Sequence, residues 1–100
     1  MNPNIDYLRD KANRLSLSPG VYLMKDKTGK IIYVGKAKAL KNRVTSYFRH
    51  DSNHNAKTLK LIDNIADFDF IVCPSELDAL VLECSLIKQH TPKYNILLKD

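Results

Sequence analysis

Two short β-type segments separated by a glycine-containing turn constrain the fold of this chain most. Gly20–Lys25 (GVYLMK) and Lys30–Gly35 (KIIYVG) are rich in β-branched and aromatic residues, and four residues ending in Gly29 separate them. This pattern predicts a β-hairpin in which Gly29 takes the left-handed conformation of the turn. Because side chains alternate between the two faces of a strand, the hairpin can place Tyr22 and Tyr33 on the same side of a sheet.

A basic segment, Gly35–Phe48 (GKAKALKNRVTSYF), follows the hairpin. Its apolar residues recur at helical spacing, so we predict an amphipathic helix over the whole segment. In a helix Lys36, Arg43 and Tyr47 would lie within about 40° of one another, at one edge of the apolar face. The pattern suits an anion-binding surface, and a solvated basic helix explains it equally well.

Composition favours a single basic domain with an anionic partner. A length of 100 residues fits one domain, and the net charge of +5 attracts phosphate groups without separating DNA from RNA or an acidic protein. The polar N-terminus and the absence of a long apolar run indicate a cytoplasmic protein with no membrane association. Cys73 and Cys84 lie in apolar runs, so we predict two buried thiols, with neither a disulfide nor a zinc site.

The rest of the chain predicts further helices and one more strand. In order these are a helix capped by Asn4, a helix ending near Ala66, a strand over Phe68–Cys73, a helix over Glu76–His90 capped by Ser75, and a closing strand or packed extension in the tail Lys93–Asp100. His50 and His54 stand four residues apart in a polar loop. They could bind a metal, but solvated loop histidines account for them better.

The helix predicted over Glu76–His90 contains an unexpected charge. Its apolar residues cover nearly the whole circumference, so we expect a central, largely buried helix. Glu83 lies in its middle, and no residue one turn away can pair with a carboxylate. A buried unpaired charge is costly, so Glu83 should be protonated, meet a cation or bind a metal. A salt bridge to Lys36 or Arg43 and a metal-binding or catalytic role remain the alternatives.

A set of motifs in fixed order resembles the GIY-YIG nucleases, over essentially the whole chain. The matching residues are Gly20-Val21-Tyr22, then Tyr33-Val34-Gly35, Lys36, Arg43, Tyr47, Glu83 and Asn95. Within that superfamily the chain is most similar to the first domain of UvrC, the incision subunit of bacterial nucleotide excision repair. Valine replaces isoleucine in both triads, a change of one methylene that should leave the packing of the strands intact.

The resemblance implies an α+β fold, in which helices flank a small, mostly antiparallel three-stranded sheet. It implies hydrolysis of a phosphodiester of damaged double-stranded DNA on the 3′ side of a lesion, with one Mg²⁺ or Mn²⁺ ion. We expect residues 1–100 to be a single monomeric domain excised from a longer protein. The expected missing regions are those that in the family bind UvrB and make the second incision.

The resemblance also implies roles for individual residues. Glu83 would hold the metal, and Tyr33 would be the general base, with Lys36 or a metal-bound hydroxide favouring its phenolate. Arg43 would bind phosphate, with a charge-assisted fork that lysine does not reproduce.

Three further residues join the catalytic set in different ways. Tyr22 and Tyr47 would position phosphate or water, although each could instead serve the core alone. Asn95 is structural by its residue chemistry and enters the site only through the resemblance.

The predicted nucleic-acid contacts are Lys36, Lys38, Lys41 and Arg43. For Lys38 and Lys41 two alternatives remain, namely contact with the DNA backbone and a role in solubility alone. A stand-alone GIY-YIG nuclease and a non-catalytic basic DNA-binding module are the alternative functions. A stand-alone nuclease usually carries its own DNA-reading region, and a non-catalytic DNA-binding module does not need a carboxylate such as Glu83.

Overall fold

A computed structural model describes residues 2–50 and 53–97. In chain order its elements are α1 (Ile5–Asn13), β1 (Gly20–Lys25), β2 (Ile31–Ala37), α2 (Leu40–Phe48), α3 (Ala56–Asn64), β3 (Asp67–Val72), α4 (Glu76–His90) and α5 (Lys93–Leu97). The strands form one antiparallel sheet in the order β2-β1-β3, which confirms the predicted α+β fold. Among the described residues no helix is long and apolar enough to cross a membrane.

The predicted hairpin forms, and its turn has the expected chemistry. Gly29 adopts a φ of 85°, and the Asp26 carboxylate accepts hydrogen bonds from the backbone of Thr28 and Lys30. The register pairs Tyr22 with Gly35 and Met24 with Tyr33. Paired residues share a face of the sheet, so Tyr22 and Tyr33 lie on the same side, as predicted.

The two faces of the sheet are covered differently. The first face carries Tyr22, Met24 and Phe68 and packs against buried residues of α1, α2, α3 and α5. The second face carries Val21, Leu23 and Val34 and packs against α4. The first face therefore belongs to a larger core, to which four helices contribute.

The prediction of one continuous helix over Gly35–Phe48 is wrong at its start. β2 extends to Ala37, and Lys36 pairs with Val21 of β1, so α2 begins only at Leu40. Pairing with β1 satisfies backbone groups that a helix would leave free at its first turn, and it overrides the helical spacing of the side chains. As a consequence Lys36 lies on the second face, opposite to Tyr33.

The prediction that the last long helix is largely buried is also wrong. The Ser75 hydroxyl caps α4 as expected, with the Asp78 amide 3.2 Å away, but Ala79 is the buried residue of α4. Leu77 and Val81 are 68% and 62% exposed. Only one stripe of α4 meets the sheet, because the described residues place no second layer over the helix.

Four smaller expectations are also corrected. The tail forms the short helix α5, which packs against β2, so the alternative of a packed extension is confirmed and that of a closing strand is wrong; residues 98–100 lie outside the described residues. Cys73 is buried as predicted, whereas Cys84 is exposed on the outer side of α4. Asn4 occupies the N-cap position of α1 without a capping bond from its side chain, and α3 ends at Asn64, two residues before the predicted Ala66.

Candidate active site

Three tyrosines form a cluster on the first face of the sheet. The hydroxyl oxygens of Tyr22 and Tyr47 lie 2.7 Å apart, a hydrogen bond between two buried side chains. The ring centroid of Tyr22 lies 5.7 Å from that of Tyr47 and 6.2 Å from that of Tyr33. β1, β2 and α2 each supply one tyrosine, so the cluster requires both the hairpin and the packing of α2 on the sheet.

Gly35 allows the Tyr22 ring to occupy its position. A Cβ atom at residue 35 would lie 2.3 Å from the Cζ and hydroxyl oxygen of Tyr22, a distance that real Cβ atoms do not show. The ring therefore lies across the strand where Gly35 has no side chain. The sequence interpretation missed this role, although the register of the hairpin predicts a glycine opposite a tyrosine.

Arg43 places a positive charge at the edge of the cluster. Its Nε donates to the Tyr22 hydroxyl at 3.4 Å, and its Cζ lies 5.6 Å from the Tyr47 ring centroid. The neighbouring tyrosines, Tyr22 above all, raise the pKa of Arg43, so the guanidinium stays charged. Since the residue is exposed, its remaining N–H groups are available to an anion from solvent.

The hydroxyls of Tyr22 and Tyr33 are protonated near neutral pH. Burial raises the pKa of Tyr22 well above its usual value, with the nearby Tyr47 and Tyr33 adding to the effect. Burial also raises the pKa of Tyr33 to about 12; Tyr47 and Glu83 act in the same direction, and Arg43 opposes them. Arg43 therefore lowers the pKa of Tyr33, and the role of Lys36 at the phenolate stays a prediction.

Glu83 is half-buried on α4, less enclosed than the sequence suggested. Its effect on the pKa of Tyr33 places its charge within electrostatic reach of the tyrosine cluster. Within residues 2–50 and 53–97, Glu83 makes no ion pair within 4.0 Å, so the predicted alternative of a salt bridge to Lys36 or Arg43 does not form. The carboxylate is therefore free to bind a cation.

Asn95 is bonded to the edge of the sheet. Its side-chain oxygen accepts from the Val34 amide and its side-chain nitrogen donates to the Val34 carbonyl, each at 2.8 Å. The double hydrogen bond holds β2 between Tyr33 and Gly35. This geometry matches the structural role that residue chemistry suggested. It also places Asn95 against Val34, the residue that follows Tyr33 in the chain.

His54 is packed against the cluster, contrary to the prediction of a solvated loop histidine. Its ring stacks on Tyr47 with centroids 6.1 Å apart, and its Nε2 lies 3.1 Å from the Ser46 carbonyl oxygen. His50 is exposed. No three His, Cys, Asp or Glu side chains of the described chain are grouped as a metal site would need. A cation at Glu83 would therefore have at most one further His, Cys, Asp or Glu ligand from the described residues, and water could complete its coordination.

The predicted basic residues fall into two groups. Lys36, Lys38 and Arg43 line one cleft of about 740 Å³, which runs between the start of α2 and the start of α4. Lys41 does not line this cleft. The structure thus brings Lys36 and Arg43 together from a strand and a helix, although not on one helix edge as predicted.

Comparisons with known proteins identify the family of the chain. Residues 18–96 match the family of UvrC-like GIY-YIG domains. The UvrABC system protein C of Desulfitobacterium hafniense (strain Y51) is 61% identical over 97 residues, which make up 97% of this chain and 16% of that protein.

Two solved structures of a relative have the same fold. The magnesium-bound GIY-YIG N-terminal endonuclease domain of UvrC from Thermotoga maritima matches with a TM-score of 0.78 and 37% identity, over 94% of this chain and 98% of that chain. A single tyrosine-to-phenylalanine variant of that domain, bound to its catalytic divalent cation, matches with a TM-score of 0.79 and 36% identity, covering 94% and 98%.

The fold and these matches define an endonuclease domain of the GIY-YIG class. The chain belongs to the family of UvrC-like GIY-YIG domains, which confirms the resemblance and the predicted enzyme class, a DNA endonuclease. It spans 16% of the length of the Desulfitobacterium hafniense relative.

Proposed function

We propose that this domain hydrolyses a phosphodiester of damaged double-stranded DNA on the 3′ side of a lesion, in bacterial nucleotide excision repair, with one divalent metal ion at Glu83. The observation that supports this most strongly is the Glu83 carboxylate, which makes no ion pair among the described residues and which, like Arg43, acts electrostatically on Tyr33. A phosphodiesterase needs these groups together, because it must bind a cation, a phosphate and a nucleophilic water at one point.

The chemistry of Glu83 fits magnesium or manganese. Mg²⁺ prefers oxygen ligands and keeps most of its water, so one carboxylate suffices to hold it. The Thermotoga maritima domain was solved with its catalytic magnesium bound, and its tyrosine-to-phenylalanine variant still binds the cation. That supports a carboxylate ligand over a tyrosine hydroxyl. When bound, the ion would neutralise charge on the scissile phosphate and stabilise the leaving 3′ oxygen.

Arg43 binds the phosphate in this proposal. Its Nε is already engaged by Tyr22, which fixes the plane of the guanidinium. The other nitrogens can donate to two phosphate oxygens and stabilise the charge that develops in the transition state. The Tyr22 hydroxyl, which is hydrogen-bonded to that of Tyr47, orients Arg43, and stacking by His54 restrains the Tyr47 ring.

Tyr33 accepts the proton of the attacking water. A pKa of about 12 means that few molecules carry the phenolate at neutral pH, so the base role depends on added positive charge. Arg43 supplies part of that charge, and a cation near Glu83 would remove the repulsion between Glu83 and the phenolate. Lys36, on the opposite face of the sheet, contacts the DNA backbone instead.

Asn95 acts as a positioning residue for Tyr33. Its two hydrogen bonds to Val34 fix the strand one residue away from the Tyr33 side chain. In the whole protein we expect contact with UvrB through regions outside this chain and a cytoplasmic location. The name of the relatives, UvrABC system protein C, supports a place in that system.

Glu83→Gln tests the proposal, with Asp10→Asn as control because Asp10 is an exposed α1 carboxylate paired with Arg14. We expect Glu83→Gln to lower Mn²⁺-dependent nicking of damaged plasmid DNA more than about 100-fold while the far-UV circular dichroism spectrum is unchanged. Mn²⁺ should raise the Tm of the wild type and of Asp10→Asn but not of Glu83→Gln.

Two results would contradict the assignment. Nicking by Glu83→Gln at the wild-type rate would exclude Glu83 as the metal ligand. DNA binding by the wild type with neither nicking nor a Mn²⁺-dependent Tm shift would favour the non-catalytic DNA-binding module.

A further inference from the structure

The cleft between α2 and α4 has one wall that the proposed chemistry does not use. Its basic wall carries Lys36, Lys38 and Arg43, and its opposite wall carries Leu77 and Leu80. Phosphate binding needs only the basic wall, since phosphate contacts are charge interactions and hydrogen bonds. The apolar wall therefore requires a second explanation.

Leu77 and Leu80 are unusually exposed for side chains that line a concave surface. Leu77 is 68% exposed and Leu80 is 42% exposed, although Ala79 of the same helix is buried in the smaller core. Covering exposed leucine surface is favourable by about 25 cal/mol per Å², so a ligand that covers both side chains gains affinity. The ligand must present an apolar surface to α4.

The basic wall determines the charge that a ligand should carry. Three cationic side chains line the cleft, against one carboxylate, Glu76, whose Oε1 lies 3.9 Å from the Lys38 Nζ. Both partners of that pair are well exposed, so the pair is weak and does not neutralise the cleft. A ligand with an anionic side and a flat apolar side matches both walls, and a nucleotide has this form.

We propose that the cleft binds one unpaired nucleotide of the DNA strand that is cut, next to the scissile phosphate; this inference rests on the proposed function. The phosphate of the nucleotide lies against Lys36 and Lys38, and its base packs on Leu77 and Leu80. The volume of about 740 Å³ lies in the range of 300–1,000 Å³ typical of small-molecule sites, enough for one nucleotide.

The nucleotide must be unpaired for a physical reason. In a duplex both faces of a base are covered by its neighbours, so no face is available to the leucines. Unstacking costs a few kcal/mol and is least costly where the duplex is already damaged or mismatched. The cleft would thus select DNA whose pairing is weakened beside the cutting site.

Binding of two labelled DNA duplexes, in buffer without divalent metal, tests this inference. One duplex is fully paired and the other contains a single unpaired nucleotide, and fluorescence anisotropy measures both Kd values. We expect the wild type to prefer the unpaired form about fivefold or more. Leu77→Ser and Leu80→Ser should lose this preference, and Val81→Ser should keep it, because Val81 is 62% exposed on the same helix but does not line the cleft.

Two further measurements distinguish the contribution of the base to binding from that of the phosphate charge. Removing the base from the unpaired nucleotide, to leave an abasic site, should abolish the preference of the wild type. Lys38→Ala should weaken binding of both duplexes and lower the slope of log K against log salt by about one, without changing the preference. Leu77 is so exposed that Leu77→Ser should fold even if Leu80→Ser does not.

An unchanged preference in Leu77→Ser and Leu80→Ser, or no preference in the wild type, would overturn the nucleotide site. Neither result bears on Glu83, because the measurement reads binding in the absence of metal. Conversely, nicking of DNA by Glu83→Gln would exclude the proposed function. The binding measurements would then test the nucleotide site independently of it.

Discussion

The two faces of the sheet differ in how completely they are covered. Residues of four helices close the first face, and there the hydroxyls of Tyr22 and Tyr47 meet in a buried hydrogen bond. Among the described residues, the core of the second face is covered by α4, on which Glu83 is half-buried and Leu77 is exposed. The closed face holds the tyrosines and, through them, Arg43 in one geometry, while the open face leaves the carboxylate and the cleft accessible, as the proposed binding of metal and DNA requires.

The largest effect is expected where an atom is added to the closed face. In Gly35→Ala the new Cβ would overlap the Tyr22 ring, so the ring must move and its bond to Tyr47 must break. We expect a loss of about 3 kcal/mol in the free energy of unfolding, measured in urea, and at least tenfold slower nicking.

Gly29→Ala is the matched control for Gly35→Ala. Gly29 has a φ of 85°, and no atom lies within 4 Å of the position that a Cβ would occupy, so alanine costs backbone strain of about 1 kcal/mol without steric overlap. Its nicking rate should equal that of the wild type. Equal stability losses in the two variants would show that the closed face can adapt to an added methyl group.

An intermediate effect is expected at alkaline pH. The pKa of Tyr33 is raised to about 12 in the folded state from 10.0 in a free tyrosine, so the folded state keeps the Tyr33 proton up to a higher pH than the unfolded state does. The stabilisation is fully present below pH 10 and is lost as the pH rises towards 12, since the unfolded state then binds fewer protons. We expect Tyr33 to account for about 1 to 2 kcal/mol of the loss between pH 9 and pH 11.5.

Tyr33→Phe isolates this contribution from other groups that titrate in the same range. Urea unfolding of the variant at both pH values should show a smaller fall than the wild type does. A fall of the same size in both proteins would mean that Tyr33 is as easily ionised as an exposed tyrosine.

The smallest effect is expected on the outer side of α4. Val81 is 62% exposed, whereas Val44 on α2 is fully buried under the first face. Val81→Ala should change the free energy of unfolding by less than about 0.5 kcal/mol, and Val44→Ala should cost about 2 kcal/mol. Both residues lie within helices, so helix propensity affects the two variants equally. Thermal or urea unfolding measures the contrast, and a large loss in Val81→Ala would indicate that α4 is covered in solution.

Features that depend on neighbouring residues in the chain were predicted well. The hairpin turn at Gly29, the common side of Tyr22 and Tyr33, and the Ser75 cap of α4 all follow from local backbone geometry. The order and spacing of the GIY-YIG motifs indicated the family, and the family match confirms it. The roles of the individual site residues remain proposals.

The errors arose where two local preferences competed or where burial depends on distant elements. Lys36 fits a helix by spacing and a strand by pairing, and the ladder with β1 placed it on the second face. The outer leucines of α4 look like core residues in a helix that is apolar on all sides. Which stripe of such a helix is buried depends on the elements that pack against it, and the spacing of its residues does not contain that information.

By itself the sequence determined the hairpin, the Ser75 cap of α4 and the family, because turns, caps and motifs are encoded over a few neighbouring positions. Only the tertiary structure decided that Gly35 accommodates Tyr22, that Asn95 holds β2 through Val34, and that Leu77 and Lys36 line one cleft. These contacts join residues from separate elements. They exist only after the sheet has formed and the helices have packed on its two faces.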